Sequence, residues 1–344
     1  MRRPGVWEQR WHPFRGEWVL FASHRGGRPW IGATQQVNEA AISSYDPACA
    51  LCPGNERLSG GRNPNYGGVF WFTNDLPCFS THAASNGSPD DPLYPTRPAA
   101  GTAEVACYHP DHALTMADLG VEEIRAIIEL WADRYQQLGK RPDVDCVHIF
   151  ENKGQLVGTS NPHPHCQIYA GSMVYATIAR EAKVASRYFL ERGETVGLAV
   201  AGRELAGGRV VCESENFLAC VPWFALFAYE VLILPRFRAS SLLEVTDEQR
   251  KDLAAIMRAV AIRYDNLWQM PMPYIMVLHQ APTDGADHSA YPFHLEFHPP
   301  LRTPDTLKYL AGPETGGGTM TNESDPDEKA AELRAVSDVL YRSR

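Results

Sequence analysis

Two prolines set two residues apart constrain this chain more than any other feature. They lie in the stretch 150–170, Phe-Glu-Asn-Lys-Gly-Gln-Leu-Val-Gly-Thr-Ser-Asn-Pro-His-Pro-His-Cys-Gln-Ile-Tyr-Ala. The stretch opens at the end of an apolar run (Val147, Ile149, Phe150) that reads as a strand. A turn rich in Gly, Ser and Asn follows, and a second short strand begins at the prolines. Residues two apart in a strand share a face, so His163, His165 and Gln167 point together while Pro164 and Cys166 point away. Pro162 and Pro164 cannot donate to a ladder, which predicts a strand at a sheet edge or beside a ligand. Two imidazoles and a carboxamide aimed across a glycine-rich loop suit an anion site with a nucleophile in it. The plainer readings of a His-x-His pair are a metal site or a satisfied polar pair.

The second half of the chain repeats the order of the first. The first half reads as strands (Trp18 to Ala22, Val69 to Leu76), an amphipathic helix over Thr115 to Gly139, a strand over Asp145 to Phe150, a loop and the histidine-bearing strand. Leu119, Ile124, Ile127, Ile128, Trp131 and Tyr135 mark the buried stripe of that helix. The second half reads as strands (Val210 to Glu213, Phe217 to Val221, Glu230 to Leu234), then a helix from Thr246 to Leu267. That helix opens with the capping pattern Thr-Asp-Glu-Gln. Strands over Tyr274 to Leu278 and Tyr291 to His298 follow, placing His294-Leu295-Glu296 where His163-Pro164-His165 falls in the first copy. Further helices are predicted over 174–192, carrying Glu181, and over Pro326 to Arg342, burying Leu333, Val336 and Leu340. Residues 84–101 and 315–318 read as loops. A chain of 344 residues is long enough for two such units. The fold class is α+β, with an internal duplication.

Composition narrows function. A net charge of −9 argues against nucleic acid, whose binders carry a basic stripe. No apolar run approaches the roughly 20 residues of a membrane span, and the N-terminus has no signal-peptide pattern. Eight cysteines without a regular framework suit a reducing cytoplasm. Cys49 and Cys52, in Cys-Ala-Leu-Cys, have the spacing of a zinc knuckle, a redox pair or two buried thiols. No second Cys-x-x-Cys exists, so further ligands would come from histidine, with His112 and His163 the candidates. Arg25 and Arg28 flank two glycines, an arrangement that suits guanidinium forks on a phosphate or a solvated loop.

The 150–170 string resembles the active-site signature of the galactose-1-phosphate uridylyltransferase family, a branch of the histidine-triad superfamily. That signature reads Phe-Glu-Asn-Lys-Gly, a spacer, then Ser-Asn-Pro-His-Pro-His-Gly-Gln-Ile, and this chain departs from it at Cys166. The resemblance implies a duplicated histidine-triad-like domain, two antiparallel half-barrel sheets with helices packed on them, divided as 1–192 and 193–344. It implies ping-pong transfer of UMP between UDP-glucose and galactose 1-phosphate through a uridylyl-histidine at His165. Gln167, Ser160 and Asn152 would contact phosphate, and Arg25 and Arg28 would contribute to the substrate site. Asn74 and Asp75 would meet the nucleotide, and Lys308, Tyr309 and Glu314 the sugar phosphate. It also implies a structural zinc on Cys49, Cys52, His112 and His163. A second iron or zinc site would use Glu181, His279, His294 and Glu296, where the family has one Glu and three His. A homodimer is a further implication. The alternatives are a sister nucleotidyltransferase or phosphorylase acting on another nucleoside-diphosphate sugar, or a non-catalytic, zinc-stabilised nucleotide-binding protein.

Overall fold

The computed structural model of the chain describes residues 7–27, 34, 43–84 and 92–343. Arg28 therefore lies outside the described residues, as do residues 85–91 of the first predicted loop. The chain opens with an antiparallel hairpin, β1 (Trp7–His12) and β2 (Glu17–Ala22), with Trp11 opposite Trp18. Its turn depends on Gly16, whose φ is +63° and whose amide donates to the His12 carbonyl at 2.9 Å. The first repeat follows as β3 (Phe70–Thr73), β4 (Gly101–Cys107), helix α1 (Val121–Gly139), β5 (Cys146–Lys153) and β6 (His165–Gly171). Two helices come next, α2 (Ala176–Arg192) and α3 (Val196–Gly207). The second repeat is β7 (Val210–Glu213), β8 (Phe217–Cys220), β9 (Val231–Pro235), α4 (Asp247–Trp268), β10 (Tyr274–His279) and β11 (His294–His298). Short strands β12 (Leu301–Thr303), β13 (Thr306–Leu307) and β14 (Thr321–Asn322), then α5 (Pro326–Ala335), complete the chain.

Nine of these strands form one antiparallel sheet in the order β3-β4-β6-β5-β10-β11-β9-β8-β7. Counted outward from the β5–β10 seam, both sides run in the same way: β5-β6-β4-β3 and β10-β11-β9-β8. Helix α1 joins β4 to β5 just as α4 joins β9 to β10. The duplication is therefore present in the topology, and the two half-sheets meet edge to edge, with Phe150 opposite Val277. One face of the sheet carries Ile149, Ile168, Leu278 and Leu295 into a core with α1 and α4, where Trp131 and Tyr264 are fully buried. Each such large side chain contributes about 2 kcal/mol of burial. On the opposite face the second half is covered by α2, α3 and the hairpin turn, through Phe14, Ala185, Val200, Leu218 and Leu232. The first half of that face is more open, and His165, Gln167 and Tyr169 alternate there as half-buried residues with buried Cys166, Ile168 and Ala170.

Several sequence expectations need correcting. Strand β6 lies inside the sheet between β4 and β5, not at an edge. Pro162 and Pro164 precede its ladder, so no donor is missing from it. Helix α1 starts at Val121 because Thr115 to Asp118 closes a turn, in which the Asp118 carboxylate accepts from the Thr115 amide at 2.9 Å. Helix α5 stops at Ala335, because Asn266 draws the following segment onto α4 by donating to the carbonyls of Ser337 and Val339. Val336 is then only half-buried, while Leu333 and Leu340 are buried as expected.

Candidate active site and metal centre

His165 is the first residue of β6 and pairs with Cys107 of β4. Its Nδ1 lies 2.8 Å from the carbonyl oxygen of His163, two residues earlier. A carbonyl can only accept, so Nδ1 carries the proton and Nε2 keeps its lone pair. Burial lowers the pKa of the ring, against the pull of that backbone hydrogen bond, which favours the neutral form. Gln167 sits on the same face opposite Phe150, and its Oε1 accepts from Tyr169 Oη at 3.1 Å. That contact orients the carboxamide and directs its NH2 end away from Tyr169. Asn152 is on the same face of β5, and its carbonyl accepts from the Thr159 hydroxyl. Ser160 is exposed in the loop leading to β6.

The knuckle packs beside this strand. Cys49, Cys52, His112 and His163 are all buried, and their donor atoms lie within 4.8 Å of one another. Cys52 Sγ stands 3.5 Å from His112 Nδ1 and 3.6 Å from His163 Nδ1. A tetrahedral ion bonded at about 2.3 Å to sulfur and about 2.0 Å to nitrogen separates those donors by about 3.5 Å. These four residues thus fit one metal ion. The surroundings fit as well. His163 Nε2 faces Tyr66 Oη at 2.9 Å, Tyr66 Oη donates to the Leu51 carbonyl at 2.6 Å, and Asn63 donates to the carbonyls of Ala50 and Cys52. Asn161 holds the active loop here: its side chain contacts Cys49 Sγ and accepts from the His163 amide at 3.0 Å. Tyr66 had no signal in the sequence, and Asn161, though inside the 150–170 string, was given no role there.

The second cluster also assembles, with donor atoms of Glu181, His279, His294 and Glu296 within 4.8 Å. Glu181 is fully buried on α2, unlike an ordinary helix-surface glutamate. The alignment of the two halves shifts by two residues. His294 is the first residue of β11 and its Nδ1 contacts the Pro292 carbonyl at 2.6 Å, the arrangement His165 has with His163. His294 therefore matches His165, and Glu296 matches Gln167. Burial alone would lower His279, but the carboxylates of Glu181 and Glu296 outweigh it and hold the ring up to about 10. Arg15, from the hairpin turn, also enters this cluster, and nothing in the sequence signalled it.

The remaining candidates fall into two groups. Asn74 follows β3 with its side chain accepting from the Leu76 amide at 2.9 Å, and Asp75 lies 3.9 Å from Arg57. Both are half-buried beside the first half of the sheet. Lys308 and Glu314 pair with each other at 3.3 Å, close to Thr321 of β14, while Tyr309 is 46% exposed. Arg25 meets Glu323 at 3.2 Å, next to the same strand. This second group gathers around β2 and β14, which belong to the three-stranded sheet, whereas His165 stands in the nine-stranded one.

Residues 4–174 match the family described as galactose-1-phosphate uridyl transferase, N-terminal domain, and residues 181–344 match the corresponding C-terminal domain. A galactose-1-phosphate uridylyltransferase from Haemophilus influenzae is 39% identical over 342 residues, covering 98% of this chain and 96% of that protein. One from Rattus norvegicus is 36% identical over 337 residues, covering 96% and 88%. Among solved structures, a mutant uridylyltransferase is similar with a TM-score of 0.78 at 28% identity, covering 95% of this chain and 97% of that one. An ADP-glucose phosphorylase from Arabidopsis thaliana shares the fold, with a TM-score of 0.77 at 22% identity over 96% and 99% of the chains. The chain belongs to the galactose-1-phosphate uridylyltransferase family of enzymes.

Proposed function

We propose that this chain transfers UMP between UDP-glucose and galactose 1-phosphate by a ping-pong route through His165. The lone pair of His165 Nε2 attacks the α-phosphorus of UDP-glucose. An N–P bond forms as the bond to the bridging oxygen breaks, and glucose 1-phosphate leaves with that oxygen. A phosphate oxygen of galactose 1-phosphate then attacks the uridylyl group, the N–P bond breaks, and UDP-galactose leaves. The ring keeps its Nδ1 proton throughout, so its passing positive charge is shared with the His163 carbonyl. Gln167 donates its amide N–H to a non-bridging oxygen without titrating, and Asn152 and Ser160 supply further polar contacts to the phosphates. Asn74 and Asp75 receive the nucleoside. The 2.8 Å contact between His165 Nδ1 and the His163 carbonyl carries this reading, because it fixes the tautomer that an in-line nucleophile needs.

The cysteine–histidine cluster holds zinc in this reading, and the ion's contribution is to anchor the strand that carries His165. The chain divides as 1–192 and 193–344, with the break at Gly193 between α2 and α3. Lys308, Tyr309 and Glu314 bind the sugar phosphate in this reading, and Arg25 and Arg28 contribute to the substrate site. Because the Lys308 group and the His165 group sit on separate parts of the fold, the working site combines them across a homodimer. The exposed aromatics Trp7, Trp11 and Trp18 give the hairpin apolar surface for such contact. None of the eight cysteines forms a disulfide, in keeping with a cytoplasmic protein. Among the described residues, no helix is long and apolar enough to cross a membrane.

Intact-protein mass spectrometry after mixing with UDP-glucose alone tests the reaction. A gain of one uridylyl group, discharged by galactose 1-phosphate and absent in His165→Ala, is the expected result. No adduct with any nucleoside diphosphate sugar would overturn the transferase reading.

A further inference from the structure

The Glu181 cluster already contains a cation of the chain's own. Arg15 Nη2 donates to Glu296 Oε2 at 2.6 Å, and Arg15 Nε stands 4.0 Å from Glu181 Oε1. Among the described residues, Glu181 Oε1 accepts no hydrogen bond and has only this Arg15 contact, while the other carboxylate oxygens are taken. Glu296 Oε2 also faces His298 Nε2 at 2.9 Å and His279 Nε2 at 3.2 Å, and Glu296 Oε1 faces His294 Nε2 at 3.3 Å. Glu181 Oε2 meets His279 Nδ1 at 2.8 Å and accepts from Tyr291 Oη at 2.5 Å. An ion bound by these four residues would compete with a charge-assisted hydrogen bond for Glu296 and would sit beside a guanidinium in a buried site.

Nor is Arg15 a surface side chain that happened to fold inward. Its side chain is 14% exposed, and its turn is clamped on three sides. Phe14 is fully buried with its ring 4.6 Å from that of His294. The Arg15 amide donates to His12 Nδ1 at 3.2 Å. Gly16 lies so close to α2 that a Cβ there would come within 2.9 Å of Val184, one helical turn from Glu181.

We propose that Arg15 is the permanent cation of this cluster, so that an arginine–carboxylate–histidine network takes the place of a second metal and the chain binds one ion only. The inference is independent of the transfer chemistry, since it concerns metal content and not turnover.

The test is metal content by inductively coupled plasma mass spectrometry after loading with zinc and with iron(II). The wild-type protein should carry one equivalent per chain, lost in Cys49→Ser/Cys52→Ser and untouched by Glu181→Gln. Arg15→Met should gain a second equivalent that Glu181→Gln removes. Any wild-type metal that Glu181→Gln removes would overturn the proposal, as would an Arg15→Met protein that stays at one equivalent. If Arg15→Met does not fold, cobalt(II) titration of the wild type decides. Thiolate-to-cobalt absorption should saturate at one equivalent with no further bands, and a second set of bands on added cobalt would overturn the proposal.

Discussion

A backbone carbonyl two residues away decides which ring nitrogen of His165 is protonated and which is bare. The same Nδ1–carbonyl geometry recurs at His294, where Glu296 stands in place of Gln167 and lies beside the rings of His294 and His298. Cys166, the one departure from the family string, points to the opposite face. It is 1% exposed, Trp131 Nε1 donates to its sulfur at 3.2 Å, and burial pushes its thiol up to about 12. Iodoacetamide should therefore label the exposed Cys78 and leave Cys166 untouched, as read by peptide mass mapping. Cys166→Gly should cost about 1–2 kcal/mol in urea unfolding with little change in the uridylylation rate. A tenfold rate loss at unchanged stability would contradict that placement.

Glu151 also faces the helices. Burial raises its carboxyl to about 7 from 4.5, against the pull of Lys153 and the hydroxyls of Tyr108 and Tyr274. The folded chain then binds this proton more tightly than the unfolded chain, so its contribution to stability is complete below the unfolded value and is lost as pH rises through about 7. The loss amounts to about 3 kcal/mol. Denaturant titrations of Glu151→Gln should show a flatter pH profile than wild type across that window. Parallel profiles would mean the carboxyl is not the group responsible.

At the scale of elements, the 3.6-residue periodicities of α1 and α4 were legible because each buries one stripe. The capping box of α4 is formed in full: Thr246 Oγ1 accepts from the Gln249 amide at 3.3 Å, and Gln249 Oε1 accepts from the Thr246 amide at 2.9 Å. Thr246→Ala should lower stability by about 1 kcal/mol in thermal unfolding. Helix α3 had no comparable signal, since Val-Gly-Leu-Ala-Val-Ala-Gly is weak in helix propensity and forms because Val196, Val200 and Ala201 are covered by the second half of the sheet. The join of β4 to β6 depends on Gly101, whose φ is +140° and whose added Cβ would stand 2.1 Å from the Ala170 carbonyl. Gly101→Ala should cost at least about 2 kcal/mol by displacing β6, and with it His165.

Across the whole molecule, one continuous sheet brings the two repeats together, so anchoring one strand affects the rest. On the proposal that the cysteine–histidine cluster holds an ion, removing it would free Cys49, Cys52 and His112 from the loop bearing His163, just ahead of β6. A chelator, or Cys49→Ser/Cys52→Ser, should lower the melting temperature by several degrees and slow uridylylation together. Loss of metal with an unchanged adduct rate would remove the anchoring role. If the site combines two subunits, His165→Ala and Lys308→Ala proteins, each impaired alone, should regain part of the activity when unfolded and refolded together. No recovery would favour a site complete within one chain.

The sequence by itself determined the family string with its histidine-bearing strand, the grouping of Cys49 and Cys52 with two histidines, the periodic helices and the repeated order of elements. These follow from spacing along the chain, which is set by covalent geometry. The tertiary structure decided what spacing cannot express. It placed β6 inside the sheet, moved the register of the two repeats by two residues, and buried Glu181 on α2. It also brought Arg15 from a turn to Glu296, 281 residues away in the chain. A buried arginine is tolerated only where the fold assembles carboxylates around it, and that assembly exists only once the sheet has closed over the hairpin.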